Sequence, residues 1–216
     1  MKSVNINEEI YNYIVDRYAP EETLLADLIC ETENLEIPLI QISRDQAKYL
    51  YMTAKMINAS DALEIGTLTG FSGIHIARGL SDGGKLVTVE LEKKHAETAA
   101  KYFQKAGLKD KIEIMNIPAL EAMEKLVSEN KIFDLIFIDA NKTSYPEYYE
   151  FAIKLSHKGT VIIMDNMLKS GRVIEEAGDD ADLKAVQLTN DLISKDERTE
   201  SILITIGDGF TLSVVK

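Results

Sequence analysis

Leu63-Glu64-Ile65-Gly66-Thr67-Leu68-Thr69-Gly70-Phe71-Ser72-Gly73 is the stretch that decides the fold. A short apolar segment runs into glycines, which let a ligand approach the backbone, and a helical pattern with free N–H groups at its start follows. The glycines at 66, 70 and 73 do not form the G-x-G-x-x-G of dinucleotide folds, and the Gly-Lys-Ser/Thr of a phosphate loop is missing. The stretch therefore predicts a strand, a ligand-binding turn and a helix that do not bind a pyrophosphate.

Further apolar segments follow at intervals of about one strand-plus-helix unit. The predicted strands are Ala62–Ile65, Leu86–Glu90, Ile112–Met115, Phe133–Asp139 and Thr160–Asp165. The intervals predict the helices Thr69–Leu80, Glu92–Ala106, Ala119–Ser128 and Tyr145–Leu155. Short strands without strict alternation, each followed by a helix, predict a parallel sheet covered on both faces. At the end of the chain, Ser201–Ile206, Gly207-Asp208-Gly209 and Phe210–Val215 predict an antiparallel hairpin.

About 60 residues with helical patterns precede the first strand. Ile6–Arg17 and Glu21–Glu31 are amphipathic, and Ser43 is a candidate cap for a helix that runs to about Asn58. We expect this segment to pack over the edge of the sheet or over the site. The expected organisation is one domain, residues 1–216, with an N-terminal helical cap (1–60) and an α/β core (61–216).

Length and composition support this organisation. The chain has 216 residues, of which 45% are hydrophobic, so that one domain is favoured over two. No apolar run reaches the roughly 18 residues of a membrane span, and the first residues lack the apolar stretch of a signal peptide, so we expect a cytoplasmic protein. The one cysteine, Cys30, lies in an apolar stretch that predicts a buried thiol.

The net charge of −12 is concentrated in two segments. Residues 1–36 hold nine acids and two bases, and residues 171–200 hold nine acids and four bases. A nucleic-acid partner would require a basic stripe. The nearest approach to one is a row that also fits a solvated helix face, namely Lys93, Lys94, Lys101, Lys105, Lys109 and Lys111. Nucleic acid is therefore disfavoured, and tRNA stays open as an alternative.

Acidic residues stand at the carboxyl ends of the first two predicted strands. Glu64 comes two residues before Gly66, where a carboxylate would repel a pyrophosphate but suits a cationic ligand such as an ammonium or a sulfonium. Glu90 follows Gly66 by 24 residues and suits a ribose diol, although alone it also fits a solvated strand end. Together the two positions predict a nucleoside ligand that carries a positive charge.

A second set of oxygen donors ends the next two strands. Asp139 ends the fourth predicted strand, and Asp165 ends the fifth and is followed by Asn166. Neighbouring strands lie about 4.8 Å apart and bind ligands beyond their carboxyl ends, so these side chains should converge. Two carboxylates and an amide favour a hard cation, Mg²⁺ first, with Ca²⁺ or Mn²⁺ also fitting. The alternative is a helix-capping Asp139 and a loop that starts at Asp165.

These motifs resemble those of a known family. The stretch 63–72, the acidic end of strand two, and Phe-Asp-Leu-Ile-Phe-Ile-Asp-Ala at 133–140 are similar to class I S-adenosylmethionine-dependent methyltransferases. More narrowly, they resemble the cation-dependent catechol and caffeoyl-CoA O-methyltransferases and their bacterial relatives, over residues 38–216. The resemblance implies a doubly wound, Rossmann-like α/β methyltransferase fold with a mainly parallel seven-stranded sheet, a C-terminal antiparallel hairpin and N-terminal helices. It also implies a small-molecule acceptor with adjacent hydroxyls and a homodimer.

The resemblance also implies roles for individual residues. The metal ligands would be Asp139, Asp165 and Asn166. Lys142 would be the general base beside the reacting hydroxyl, with Asp139 as its catalytic neighbour, provided that the metal's charge keeps the amine neutral. The S-adenosylmethionine contacts would be Ile42, Glu64, Gly66, Ser72, Glu90, Pro118, Ala119 and Asp139.

The chain departs from the family pattern at several positions. Asn116-Ile117 stands where relatives commonly have a glycine, and Asn141 replaces an aspartate common in the plant enzymes. The chain has no tryptophan, so the acceptor pocket would need other side chains as its walls. The candidates, each of which also fits a residue of the core or of the surface, are Tyr145, Tyr148, Tyr149, Leu168 and Phe210. Two other functions stay open. One is O-methylation of wobble hydroxyuridine in tRNA, and the other is a non-catalytic S-adenosylmethionine-binding module, against which the complete set of site residues argues.

Overall fold

One seven-stranded sheet runs through residues 6–216, the part of the chain that the computed structural model describes. Its strands are β1 (Asp61–Ile65), β2 (Lys85–Val89), β3 (Ile112–Met115), β4 (Phe133–Ile138), β5 (Ser156–Met164), β6 (Thr199–Ile204) and β7 (Phe210–Val215). The helices are α1 (Glu8–Tyr18), α2 (Thr23–Asn34), α3 (Arg44–Met56), α4 (Phe71–Gly79), α5 (Lys93–Lys105), α6 (Ala119–Ser128), α7 (Tyr145–Lys154) and α8 (Ala181–Lys195). Short 3₁₀ turns lie at Lys142–Ser144 and Lys169–Ile174.

The strand order is β3-β2-β1-β4-β5-β7-β6. The first five strands in this order are parallel, and β7 pairs antiparallel with both β5 and β6. The order reverses between β1 and β4, where open α/β sheets bind their ligands. The last residues of β1, β2 and β4 are paired, Ile65 with Val89 and with Ile138, so their carboxyl ends form one level edge. The predicted doubly wound, mainly parallel sheet with a C-terminal hairpin is confirmed.

Apolar side chains of the central strands alternate between two cores, one on each face of the sheet. In β4, Leu135 and Phe137 pack on the face covered by α3, α4 and α5, and Ile136 and Ile138 pack on the face covered by α6, α7 and α8. All four side chains are fully buried. Strands buried on both faces lack polar alternation, which is why the apolar runs in the sequence were short and continuous.

The N-terminal helices pack on the face of the sheet that α4 and α5 cover. Helix α1 packs on α3, α2 on α5 and α3 on α4, so their most numerous contacts are with other helices. Leu25 and Leu28 of α2 and Leu50 of α3 join the same core as α4 and α5. Two of these helices reach the carboxyl edge of the strands: Thr32 of α2 donates to Thr69 Oγ1 in the turn between β1 and α4 at 3.0 Å, and Gln46 at the start of α3 contacts Asp165.

Several details differ from prediction. Strand β6 spans Thr199–Ile204 and not Ser201–Ile206. Cys30 is exposed and not buried, because α2 turns Leu25, Leu28 and Thr32 inward and places Cys30 on its other face. Strand β5 begins at Ser156, four residues before the predicted start, because Ser156 pairs with Phe133 ahead of a register shift in β4. Within residues 6–216, we found no helix long and apolar enough to cross a membrane.

Candidate active site

The acidic residues predicted to end three strands are each the first residue after the strand. Their N–H groups still continue the sheet: Glu90 donates to Met115 O, Asp139 to Ile65 O at 2.8 Å and Asp165 to Ile138 O at 3.1 Å. The backbone of each residue is therefore fixed while its side chain leaves the sheet. This places the three carboxyl groups along one edge, beside the first loop, which is formed by residues 66–70 between β1 and α4.

Glu64 is fully buried beneath that edge. Its Oε1 accepts a hydrogen bond from Ser72 Oγ at 2.5 Å, and its Oε2 accepts one from Thr88 Oγ1 at 2.5 Å. Burial raises the pKa of the Glu64 carboxyl to about 7, with smaller contributions from the charges of Asp139 and Glu90, while the two hydroxyl donors act in the opposite sense. The group therefore titrates near neutral pH, and a cation brought beside it would favour its ionised form.

Two glycines shape the first loop. Gly66 has φ +98°, and a Cβ there would overlap the carbonyl of Asp139, so that the loop lies directly on the exit of β4. Gly70 has φ +97° as the residue before α4, and a Cβ there would stand 2.7 Å from the Phe103 ring. Both positions require glycine for conformation and for space. The loop thereby brings the start of α4 against the acidic edge.

Glu90 is held by the backbone. Its two carboxylate oxygens accept hydrogen bonds from Leu68 N at 2.8 Å and from Glu92 N at 2.9 Å. Asn116, at the position where a glycine was expected, donates its Nδ2 to Glu90 O at 2.7 Å and so braces the exit of β2. The first loop and the exit of β2 are thus tied together through one carboxylate.

Three of the predicted cofactor residues lie at the ends of helices. Pro118 caps α6 and Ala119 is its first residue, while Ile42 is buried just before the cap of α3. Their predicted contacts with a cofactor stay predictions.

A continuous chain of polar contacts links the exits of β4 and β5. Lys142 Nζ lies 2.7 Å from Asp139 Oδ1 and donates to Tyr145 Oη at 2.8 Å. Tyr145 Oη in turn donates to Asp165 O at 3.1 Å. Burial and the charges of Asp139 and Asp165 raise the pKa of the Tyr145 phenol well above its usual range, so the hydroxyl stays protonated. Tyr145 therefore holds Lys142 through a protonated hydroxyl, and its role as a wall of the acceptor pocket stays a prediction.

Asp165 is buried, and its Oδ1 accepts two hydrogen bonds, from Gln46 Nε2 at 3.0 Å and from Asn166 N at 2.6 Å. Burial, followed by the negative charge of Asp139, raises the pKa of the Asp165 carboxyl to about 7. Asn166 has φ +58°, a left-handed conformation that asparagine tolerates better than most residues. The structure thus brings Asp139, Lys142 and Asp165 together, with Asn166 beside them.

Gln46 was not among the residues predicted for the site. Ser43 and Gln46 form the Ser-x-x-Gln pattern of a helix start, and this pattern is visible in the sequence. Its contact with Asp165, 119 residues away, is not visible, because it depends on how α3 packs. Thr88 was also missed, although it alternates with Val87 and Val89 in β2 and so faces the layer that holds Glu64.

We found no group of three or more His, Cys, Asp or Glu side chains that could hold a metal within the described part of the chain. The predicted donor set has two carboxylates and an amide, so it does not form such a group. A cavity of about 430 Å³ lies elsewhere, between the α1–α2 connection and the outer sides of α3 and α4, where it is lined by Leu25, Lys48, Tyr51, Phe71, His75 and Arg78. None of the predicted site residues lines it.

Comparison with known proteins gives a consistent result. A family model described as O-methyltransferase matches residues 15–216. A catechol O-methyltransferase of Mycobacterium tuberculosis is 38% identical over 201 residues, which cover 91% of this chain and 90% of the relative. A catechol O-methyltransferase of Niastella koreensis is 34% identical over 217 residues, 98% of both chains.

A solved structure is also similar over nearly its whole length. The O-methyltransferase from Bacillus cereus, crystallised in complex with SAH, superposes with a TM-score of 0.91 at 36% identity. The match covers 96% of this chain and 97% of that one. The likeness therefore includes the N-terminal helices as well as the sheet.

Proposed function

Since the chain belongs to the O-methyltransferase family, we propose that it transfers the methyl group of S-adenosylmethionine to one hydroxyl of a catechol-type or phenylpropanoid acceptor. The observation that carries the proposal is the cluster of Asp139, Lys142 and Asp165 at the switch point of the sheet. The catechol named for two relatives supports an acceptor with adjacent hydroxyls. The SAH in the Bacillus cereus structure supports the cofactor.

The first loop would hold the cofactor. When bound, S-adenosylmethionine would supply a methyl group on a sulfonium, and the attack of an oxyanion on that methyl group would release a neutral thioether. Glu64 and Asp139 place negative charge beside the loop, which suits the cationic end of this molecule. Glu90, fixed by Leu68 N and Glu92 N, is oriented to accept hydrogen bonds from a ribose diol. Ser72, Ile42, Pro118 and Ala119 remain proposed contacts.

The donor set fits a divalent cation. Asp139 and Asp165 are two carboxylates whose repulsion helps to raise the pKa of Asp165, and Lys142 Nζ contacts Asp139 Oδ1 at 2.7 Å. Added positive charge between the carboxylates would remove that repulsion. Oxygen ligands without histidine or cysteine suit Mg²⁺, or Ca²⁺ or Mn²⁺. We propose that Asp139, Asp165 and Asn166 hold this cation, which when bound would lower the pKa of the acceptor hydroxyl.

Lys142 is placed to receive the proton that the acceptor loses. In the neutral amine the two N–H bonds of Nζ face Asp139 Oδ1 and Tyr145 Oη, which leaves the lone pair of the nitrogen for the acceptor hydroxyl. In the proposed step the hydroxyl proton moves to the lone pair of Nζ, the new oxygen–carbon bond forms, the sulfur–carbon bond breaks, and the sulfur leaves as a neutral thioether. Tyr145, which keeps its own proton, orients Nζ and takes no part in the transfer.

The proposal is tested by separating cofactor binding from turnover. Asp165→Asn keeps the size of the side chain and removes its charge, so we expect it to abolish methyl transfer to catechol while the calorimetric Kd for S-adenosylmethionine stays within about threefold of wild type. Asp110→Asn, an exposed change of the same type, is the matched control and keeps full turnover. Full activity of Asp165→Asn would contradict the proposed site.

We also propose that the chain is a homodimer, as its resemblance to the family implies. Exposed apolar side chains support this: Leu188 and Leu192 lie one turn apart on α8 and border one groove, and Ile202 of β6 is also exposed. Apolar surface of this kind is typical of contacts between proteins.

A further inference from the structure

The Gln46 side chain lies where three segments of the chain meet. These segments are the start of α3, the exit of β5 at Asp165 and the β6–β7 turn at Gly207. Gln46 is buried although its side chain is polar, and its amide is fully engaged with protein groups. A buried amide of this kind has one orientation that satisfies both of its ends.

That orientation is determined by the start of α3. Gln46 Oε1 accepts hydrogen bonds from Ser43 N at 3.0 Å and from Ser43 Oγ at 2.9 Å. Because a backbone N–H can only donate, the carbonyl end of the amide must face Ser43. The NH₂ end therefore faces Asp165 and donates to its Oδ1 at 3.0 Å.

The Asp165 carboxylate accepts two hydrogen bonds, and both go to the same oxygen. Asn166 N also donates to Oδ1, at 2.6 Å, and within residues 6–216 no hydrogen bond to Oδ2 is formed. The two donors hold the plane of the carboxylate and leave Oδ2 unused. Hydrogen bonds that orient a ligating carboxylate and leave one of its oxygens free are typical of metal sites.

The β6–β7 turn supports Gln46 from behind. A Cβ on Gly207 would overlap the terminal amide atoms of Gln46. The turn is itself fastened to the exit of β5, because Leu168 N donates to Asp208 O at 2.9 Å and Met167 N donates to Gly209 O at 3.1 Å. Gln46 is thus enclosed between the turn and the carboxylate that it contacts.

We propose that Gln46 is a positioning residue that holds the Asp165 carboxylate ready for the cation, and that the glycine at 207 exists to leave room for it. The proposal rests on the proposed function, because it assigns Asp165 to a cation site. Residues that orient a metal ligand typically change metal affinity by 10- to 100-fold when they are removed. Gln46 therefore links the N-terminal helices to the chemistry of the sheet edge.

The first test measures Mn²⁺ binding by calorimetry, without cofactor or acceptor. Gln46→Met keeps the length of the side chain and removes both of its polar ends, so we expect the Kd for Mn²⁺ to rise at least tenfold. Gln104→Met, the same change at an exposed position of α5, is the matched control. We expect the Kd for Mn²⁺ of Gln104→Met to stay within about threefold of wild type.

The second test uses a pair of glycines with the same backbone conformation. Gly207 has φ +55° and Gly178 has φ +52°, but a Cβ on Gly178 would meet nothing within 4 Å. Both alanine variants carry the same backbone strain, and only Gly207→Ala displaces Gln46. We expect Gly207→Ala to weaken Mn²⁺ binding at least tenfold and Gly178→Ala to leave it unchanged.

The outcomes separate the two proposals. A wild-type chain that does not bind Mn²⁺ would overturn the cation site and, with it, the role of Gln46. Wild-type binding together with unchanged Kd values in folded Gln46→Met and Gly207→Ala would overturn the positioning role alone. If Gln46→Met does not fold, Gly207→Ala against Gly178→Ala decides the question.

Discussion

Glu64 and Asp165 are buried carboxyl groups whose pKa values both rise to about 7, and in both cases burial is the main cause. Each group is destabilising when ionised in the absence of a cation. Such groups cluster at functional sites because a ligand of opposite charge recovers the energy that burial costs. The residues that the sequence marks as functional are therefore also the residues that weaken the unliganded fold.

The raised pKa of Glu64 predicts a pH-dependent stability. Its pKa is higher in the folded chain than the 4.5 of an ordinary glutamate, so its contribution is fully present below about pH 4.5 and is lost as the pH rises to about 7. A difference in pKa of this size corresponds to about 3 kcal/mol. Glu64→Gln removes this contribution, and Ser72 and Thr88 can still bond to the amide.

Urea denaturation at pH 5 and pH 8 measures this effect. We expect the free energy of unfolding to fall less between these values in Glu64→Gln than in wild type. Glu121→Gln, an exposed change on α6, should behave as wild type. Equal pH dependence in Glu64→Gln and wild type would show that Glu64 is ionised throughout.

Replacement of Lys142 should slow methyl transfer. Lys142→Met keeps the length of the side chain and removes the nitrogen that is proposed to receive the proton, so we expect kcat to fall by about 10²- to 10⁴-fold. The Kd for S-adenosylmethionine should change little, because the first loop is untouched. The exposed Lys158→Met is the control, measured in the same methyl-transfer assay. A Lys142→Met enzyme within threefold of wild type would assign proton transfer to another group.

The elements of the sheet were predictable because each one repeats a local pattern. Short apolar runs and glycines at the turn specify β1, β2, β3 and β4 within one residue at each end, and the Ser-x-x-Gln start specifies α3. The early start of β5 depends on pairing with Phe133, and the exposure of Cys30 depends on which face of α2 meets α5. Contacts between distant segments, such as Gln46 with Asp165, leave no local pattern in the sequence.

The close packing of the first loop on the exit of β4 predicts a large loss of stability when Gly66 gains a side chain. Gly66 and Gly159 have φ of +98° and +96°, but only at Gly66 would a Cβ overlap backbone, the carbonyl of Asp139. Gly159→Ala should cost about 1–2 kcal/mol for its left-handed conformation. We expect Gly66→Ala to cost at least about 2 kcal/mol more in urea denaturation, because the loop must leave the exit of β4. Equal costs would mean that the loop does not lie against β4.

At the scale of the whole molecule, the proposed homodimer is tested by mass. Sedimentation equilibrium should give twice the 24.1 kDa of one chain. Leu188→Glu with Leu192→Glu should shift the mass towards that of one chain, because charge would be buried in the contact. Met56→Glu, on an exposed apolar residue of α3, is the control. A wild-type mass of one chain at micromolar concentration would contradict the dimer.

The net charge of −12 bears on the choice of acceptor. An acidic chain repels the phosphates of RNA, and this favours a small molecule over tRNA as the substrate. The candidate site adds its own carboxylates, Glu64, Glu90, Asp139 and Asp165, along one edge of the sheet. A cation and a cationic cofactor would both find a complementary charge there.

Metal-dependent methyl transfer is tested most directly by following labelled methyl groups from S-adenosylmethionine to catechol, with Mg²⁺ or with excess chelator. The Asp139, Asp165 and Asn166 donor set predicts that turnover disappears with chelator and returns when Mg²⁺ is added back in excess. Undiminished turnover in chelator would contradict metal dependence, because the carboxylates at the edge of the sheet would then act without the cation that they are proposed to hold.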